Sequence, residues 1–169
     1  MAIKVGDCLP NGTLNEFIEV EREGCSVGPN SFKVEDMVKG KKIVIFGLTG
    51  AFTPTCSAKH VPSDVTNLNA LKAKGVDEIW YLSVNDAFVM GAWARDQKAA
   101  GKVRMMADGS AEYVKKLGLK NDLTARGMGM RSQRFSLLVE DGVVKSLNVE
   151  APGKFEVSDA GTMLTLLGG

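Results

Sequence analysis

The chain has 169 residues, of which 44% are hydrophobic and 24% charged, enough to bury one sizeable core, and residues 1–169 are taken as a single domain. A formal net charge of +1 offers no charge excess to draw nucleic acid or an anionic membrane surface. The opening MAIKVGDCLP lacks the pattern of a secretory signal, and the longest apolar run, residues 43–48, is too short to cross a bilayer, so a cytoplasmic protein is expected.

Along the chain, EFIEVE (16–21) alternates apolar and acidic residues and suits a half-exposed strand. Residues 22–31 carry Gly24, Gly28 and Pro29 and read as a loop. IVIFGL (43–48) is short, β-branched and apolar on both faces, as a buried central strand should be. After TGAFTPTC the period changes: Val61, Val65, Leu68 and Leu71 recur at helical spacing and Gly75 follows as a stop. IWYLSV (79–84) is a second buried strand. Asp86 is placed to cap a helix running to about Ala100, with Phe88, Val89, Ala92 and Trp93 on its apolar side. VRMMAD (103–108) is a third strand, and Ser110 opens a short helix that Gly118 stops. RFSLLVE (134–140) and VVKSLNVE (143–150) flank Asp141-Gly142, a two-residue hairpin signal. Ser158 then caps a last helix with Met163, Leu164 and Leu167 apolar. Alternating strands and helices followed by a hairpin and a helix predict an α/β protein. A mixed central sheet flanked by helices, with an N-terminal β extension, is the thioredoxin-like order.

Three cysteines occur, Cys8, Cys25 and Cys56, with no C-x-x-C between any of them. With His60 as the single histidine, a four-ligand zinc site is hard to assemble, and no metal is expected. So few cysteines in a chain of this length do not make a disulfide scaffold either. The question becomes whether one thiol is reactive. Cys56 falls between a buried strand and an amphipathic helix, where unpaired N–H groups and the helix dipole favour the thiolate. Such placement commonly brings a thiol from ~8.5 to roughly 3.5–7.5. Thr53 is close enough in a tight turn for its hydroxyl to reach the sulfur or a bound oxygen. Pro54 fixes the backbone, and Gly50 permits a turn that other residues resist.

The string GAFTPTCSAKHVP resembles the active-site segment of type II peroxiredoxins, thioredoxin-fold peroxidases. LSVNDAFVMGAWA (82–94), KVRMMADGSAEY (102–113), RSQRFSLLVEDGVVK (131–145) and LNVEAPGKFEVSDA (147–160) are similar to the same family, in order. The resemblance implies that Cys56 is the peroxidatic cysteine, that Thr53 is the active-site threonine, and that Arg134 and Arg131 are the family's two arginines near the site. One departure is Thr49, where the family usually has a proline. The implied reaction reduces hydrogen peroxide and alkyl hydroperoxides through a Cys56 sulfenic acid. The resolving cysteines of two-cysteine relatives fall on Tyr81 and Ser158, so the chain reads as a one-cysteine enzyme. It would be reset by glutathione with glutaredoxin first, or thioredoxin second, without a cofactor. A homodimer is implied, with Phe52 and residues 128–130 as a candidate contact. The competing functions are a peroxide sensor or redox relay using the same cysteine, and a disulfide reductase, against which the missing C-x-x-C argues.

The other candidates have plainer readings. Cys8 reads as a partly buried strand-edge thiol and Cys25 as a loop thiol, with resolution of Cys56 by Cys25 as the sharper alternative. His60 shares a helix face with Cys56 at i,i+4 and reads as structural. Met105, Met106, Met128 and Met130 read as core filling rather than a soft-metal site.

Overall fold

Burial alternates along TLNEFI, which forms β1 (Thr13–Ile18) with Leu14, Glu16 and Ile18 buried. The computed structural model describes residues 2–18, 27–53, 67–99, 102–151 and 154–167. Residues 28–31, read from sequence as loop, open a strand instead. β2 (Gly28–Lys33) pairs antiparallel with β1 along its length. Pro29 is tolerated because β2 lies at the sheet edge, where a missing N–H breaks no inner ladder. A single turn, α1 (Val34–Met37), leads to β3 (Lys42–Leu48), buried from its second residue onward.

The remaining elements are α2 (Leu68–Ala73), β4 (Glu78–Ser83), α3 (Ala87–Asp96), β5 (Arg104–Ala107), α4 (Glu112–Leu117), β6 (Lys120–Leu123), β7 (Gly129–Ser132), β8 (Phe135–Glu140), β9 (Val143–Val149) and α5 (Ala160–Leu166). Seven strands form one sheet in the order β2-β1-β5-β4-β3-β8-β9. β3, β4 and β5 are parallel, and β8 runs antiparallel to β3. β6 and β7 form a separate hairpin that the sequence pattern did not reveal. This is the thioredoxin-like order, with β1 and β2 as the N-terminal extension.

Strand periodicity divides the core into two layers. Ile43 and Ile45 face α4 through Trp80, Leu82, Tyr113, Val114 and Leu117. Val44, Phe46 and Leu48 face α3 and α5 through Tyr81, Met90, Trp93 and Met163. Asp141 (φ 47°) and Gly142 (φ 79°) make the expected tight hairpin between β8 and β9.

Helix ends differ from expectation in three places. Asp86 does cap α3, accepting from Val89 N–H, but the helix stops at Asp96, and Lys98 adopts φ 56°. Its buried stripe is Ala87, Met90, Gly91 and Ala94 with Trp93, which turns Phe88 outward, 64% exposed. Ser110 does not cap α4. The buried Asp108 carboxylate accepts from Tyr113 and Val114 N–H, while its burial pushes its pKa up. Asp159, not Ser158, caps α5 by accepting from Thr162 N–H.

On the outer side of β4, the Glu78 carboxylate accepts from Lys41, Trp80 Nε1 and Arg104, and Arg104 also holds Glu16 at 2.6 Å. Burial opposes the Glu78 charge, but these donors outweigh it and lower its pKa to about 2. A depressed folded-state value stabilises the protein above the ordinary value of 4.5, and that stability is lost as pH falls towards 2. Glu78→Gln is therefore expected to be less stable than wild type at pH 7, with the gap closing on acidification, as read by urea midpoints at several pH values. A gap independent of pH would refute the assignment.

A second prediction concerns β3 itself. A Cβ built on Gly47 would lie 2.0 Å from the Phe135 ring, which is fully buried. Gly47→Ala should cost roughly 1–3 kcal/mol, the usual range for overpacking. A urea midpoint equal to wild type would show that the ring can move aside.

Candidate active site

β3 ends at Leu48 and the chain turns at once. Residues 50–53 form a β-turn closed by Thr53 N–H donating to the Gly50 carbonyl at 3.4 Å. Phe52 occupies the third position with φ 63°. That positive φ is the mark of a type II turn, where Gly or Asn is usual. A bulky residue in this region stores roughly 1–3 kcal/mol of strain. Its ring is 52% exposed, with one contact to Trp93 of α3 at 6.4 Å between centroids. The Thr53 hydroxyl donates to the Gly50 carbonyl at 2.7 Å. This fixes the side chain and leaves the oxygen able to accept.

One further residue braces this turn, and another lies beside it. Asn85, just past β4, accepts through Oδ1 from Ala51 N–H at 2.9 Å and from the Ser83 hydroxyl at 2.5 Å. Arg131, from β7, donates through Nη1 to the Val84 carbonyl at 3.1 Å and through Nε to the Met128 carbonyl at 2.8 Å. It is half-buried and bonded, not a plain surface charge. A Cβ on Gly50 would come within 3.0 Å of Arg131 Nη1 and 3.3 Å of Thr53 Cγ2. A side chain at Gly50 would thus be closely crowded by Arg131 and Thr53, while Phe52, not Gly50, carries the left-handed conformation of the turn.

Arg134 arrives from the neighbouring strand. Gly47 pairs with Phe135 in the β3–β8 ladder. Arg134 therefore stands one residue beyond that pair, at the sheet end from which Thr49–Thr53 emerge. It is half-buried, with its guanidinium carbon 6.0 Å from the Phe155 ring centroid. Its carbonyl accepts from Glu150 N–H at 2.9 Å.

The structure thus sets Thr53 and Arg131 each against Gly50, and Arg134 at the same end of the sheet. Cys56, Pro54, Cys25 and His60 lie outside the described residues, as does the expected helix start after Cys56. Cys8 is exposed, in an isolated bridge to Val143, rather than partly buried. Of the residues implied as positions of resolving cysteines, Tyr81 is buried in β4 and stacks on Phe46, and Ser158 is buried beside Glu150.

The Redoxin family pattern matches residues 4–164. Peroxiredoxin-2B of Arabidopsis thaliana is 46% identical over 165 residues, covering 98% of each chain. The present chain belongs to the Redoxin family, among the type II peroxiredoxins. The crystal structure of reduced Prx3 from Vibrio vulnificus in complex with hydrogen peroxide is similar at TM-score 0.89 and 45% identity, over 98% of this chain and 96% of that one. A Burkholderia cenocepacia structure that carries a thioredoxin reductase name is similar at TM-score 0.96 and 62% identity, over 98% of each chain. This peroxiredoxin lacks the C-x-x-C pair of a disulfide reductase. Its activity is that of a thiol peroxidase.

Sequence reasoning missed Asn85 and Ser83 in this peroxiredoxin. The available signal was a polar residue on each side of Val84, where an apolar strand runs out. Asn85→Ala removes the acceptor of the Ala51 N–H and the Ser83 hydroxyl, which should cost roughly 1–3 kcal/mol. Asn85→Asp keeps an acceptor and should retain most of that stability. Urea midpoints of the two variants check this, and equal midpoints would show that Asn85 does not brace the turn.

Proposed function

We propose that this peroxiredoxin reduces hydrogen peroxide and alkyl hydroperoxides by attack of the Cys56 thiolate, with Thr53 and Arg134 as its partners. The observation that carries the reading is the β3–β8 register. It brings the Arg134 backbone and the Thr53 turn, three residues before Cys56 in the sequence, to one end of the sheet. Crystallisation of the Vibrio vulnificus relative with hydrogen peroxide supports the substrate class.

Cys56 sulfur attacks one peroxide oxygen. The S–O bond forms as the O–O bond breaks, and the departing oxygen takes the electron pair and a proton to leave as water or an alcohol. Arg134, always charged and rich in donors, stabilises the thiolate and the negative charge that grows on the leaving oxygen. The Thr53 oxygen accepts from the peroxide O–H and so orients it. Pro54 restrains the backbone, and Arg131 and Gly50 keep the turn in place.

The resulting sulfenic acid condenses with an external thiol, releasing water and forming a mixed disulfide. A second thiol then attacks that disulfide and frees Cys56. Tyr81 and Ser158 supply no sulfur at the implied resolving positions. Glutathione with glutaredoxin is the first choice of reductant, and thioredoxin the second.

Steady peroxide consumption is therefore expected with glutathione and glutaredoxin. Cys56→Ser should abolish it, and the double variant Cys8→Ser, Cys25→Ser should keep most of it. Consumption of one equivalent followed by silence with either reductant would instead identify a sensor. Loss of turnover in the double variant would overturn the one-cysteine mechanism.

A further inference from the structure

We propose that Glu150 is a positioning residue for Arg134, acting through the turn that carries Phe155. The proposal rests on the role given above to Arg134. Glu150 follows β9 and is only 7% exposed. Its Oε2 accepts four hydrogen bonds: Glu156 N–H at 2.8 Å, Val157 N–H at 2.8 Å, Ser158 N–H at 2.7 Å and the Ser158 hydroxyl at 2.7 Å. Burial disfavours this charge, but the Ser158 hydroxyl and the three backbone donors outweigh it and hold the carboxyl below its ordinary range.

Four donors on one oxygen exceed what the helix start demands. α5 already has its own cap in Asp159, which accepts from Thr162 N–H. What Glu150 orders is residues 156–158, and with them the approach of Phe155 to Arg134. The same residue also reaches Arg134 by a second route, since Glu150 N–H donates to the Arg134 carbonyl. One residue therefore fixes both the backbone of Arg134 and the ring beside its guanidinium. An arginine side chain has many rotamers, and its effect on a thiolate depends on being held in one of them. An ordered aromatic ring narrows that choice by cation–π contact.

The test uses the full chain and three variants, Glu150→Gln, Phe155→Leu and Ser158→Ala. Each is measured for its second-order rate constant with hydrogen peroxide, the pH midpoint of Cys56 alkylation by iodoacetamide, and its thermal midpoint. Glu150→Gln and Phe155→Leu should each lose at least about tenfold in rate and raise the alkylation midpoint, at temperatures where both are fully folded. Ser158→Ala, which leaves the three backbone bonds to the carboxylate, should lower the thermal midpoint while its rate stays within about twofold of wild type. A purely structural Glu150 would lower thermal midpoints and leave rate and alkylation midpoint unchanged, and that result overturns the proposal. Should Glu150→Gln fail to fold, Phe155→Leu decides alone, because it leaves the carboxylate and its four bonds in place. Arg134→Ala serves as the reference: wild-type rate in that variant would overturn the active-site reading itself, whereas a slow Arg134→Ala beside a fast Phe155→Leu overturns only the positioning role.

Discussion

The antiparallel register between β3 and β8 is the constraint on which the site depends. It is set where Gly47, with no side chain, faces the Phe135 ring. On the β3 side the chain runs one residue on to Leu48 and then into the Thr53 turn. On the β8 side it runs one residue back to Arg134. A slip of one residue would turn every β8 side chain to the opposite face. It would turn Glu140 towards the layer that holds Phe135, Leu137 and Val139, and would shift Arg134 relative to the turn. Fold stability and site geometry are thus specified by the same contact.

The turn beyond β3 is held by polar groups drawn from other elements. Asn85, from the end of β4, bonds Ala51 N–H, and Arg131, from the β6–β7 hairpin outside the main sheet, bonds the neighbouring Val84 carbonyl and lies against Gly50. These long-range struts compensate for a left-handed Phe52, whose conformation the local sequence alone disfavours. Strain of this kind persists where surrounding structure over-determines it, and such places cluster at functional sites.

Legibility in the sequence followed the period of the signal. β3, β4, β5, β8 and β9 were readable because apolar runs and the Asp141-Gly142 turn are local features. The β2 strand was not, because its Gly28-Pro29 start looks like a loop and only the ladder to β1 makes it a strand. Serines were taken as helix caps at 110 and 158, yet carboxylates do that work: Asp108 reaches across from the end of β5, and Asp159 sits one residue later. Phe88 was assigned inward because an aromatic residue fits an apolar face, whereas the stripe through Ala87, Met90, Gly91 and Ala94 leaves it outside. At the candidate site, the resemblance pointed to Thr53 and Arg134, and the structure sets both residues at one end of the sheet. Asn85 and Glu150 were not legible, since their importance lies in partners far along the chain or across a turn.

The positions at which two-cysteine relatives would carry a resolving thiol show how this chain uses the same places. Tyr81 is fully buried and stacks on Phe46 with 5.5 Å between centroids. Freeing that strand position for redox chemistry would open the layer between β3 and α3. Ser158 is buried too, and its hydroxyl and N–H both satisfy Glu150. A thiol there is a weak donor and would leave a buried carboxylate short of a partner. Both positions are committed to packing or to polar satisfaction. Exposing either position would require local unfolding of the elements that bury it. Neither position is available to a thiol without cost to the packing or hydrogen bonding around it.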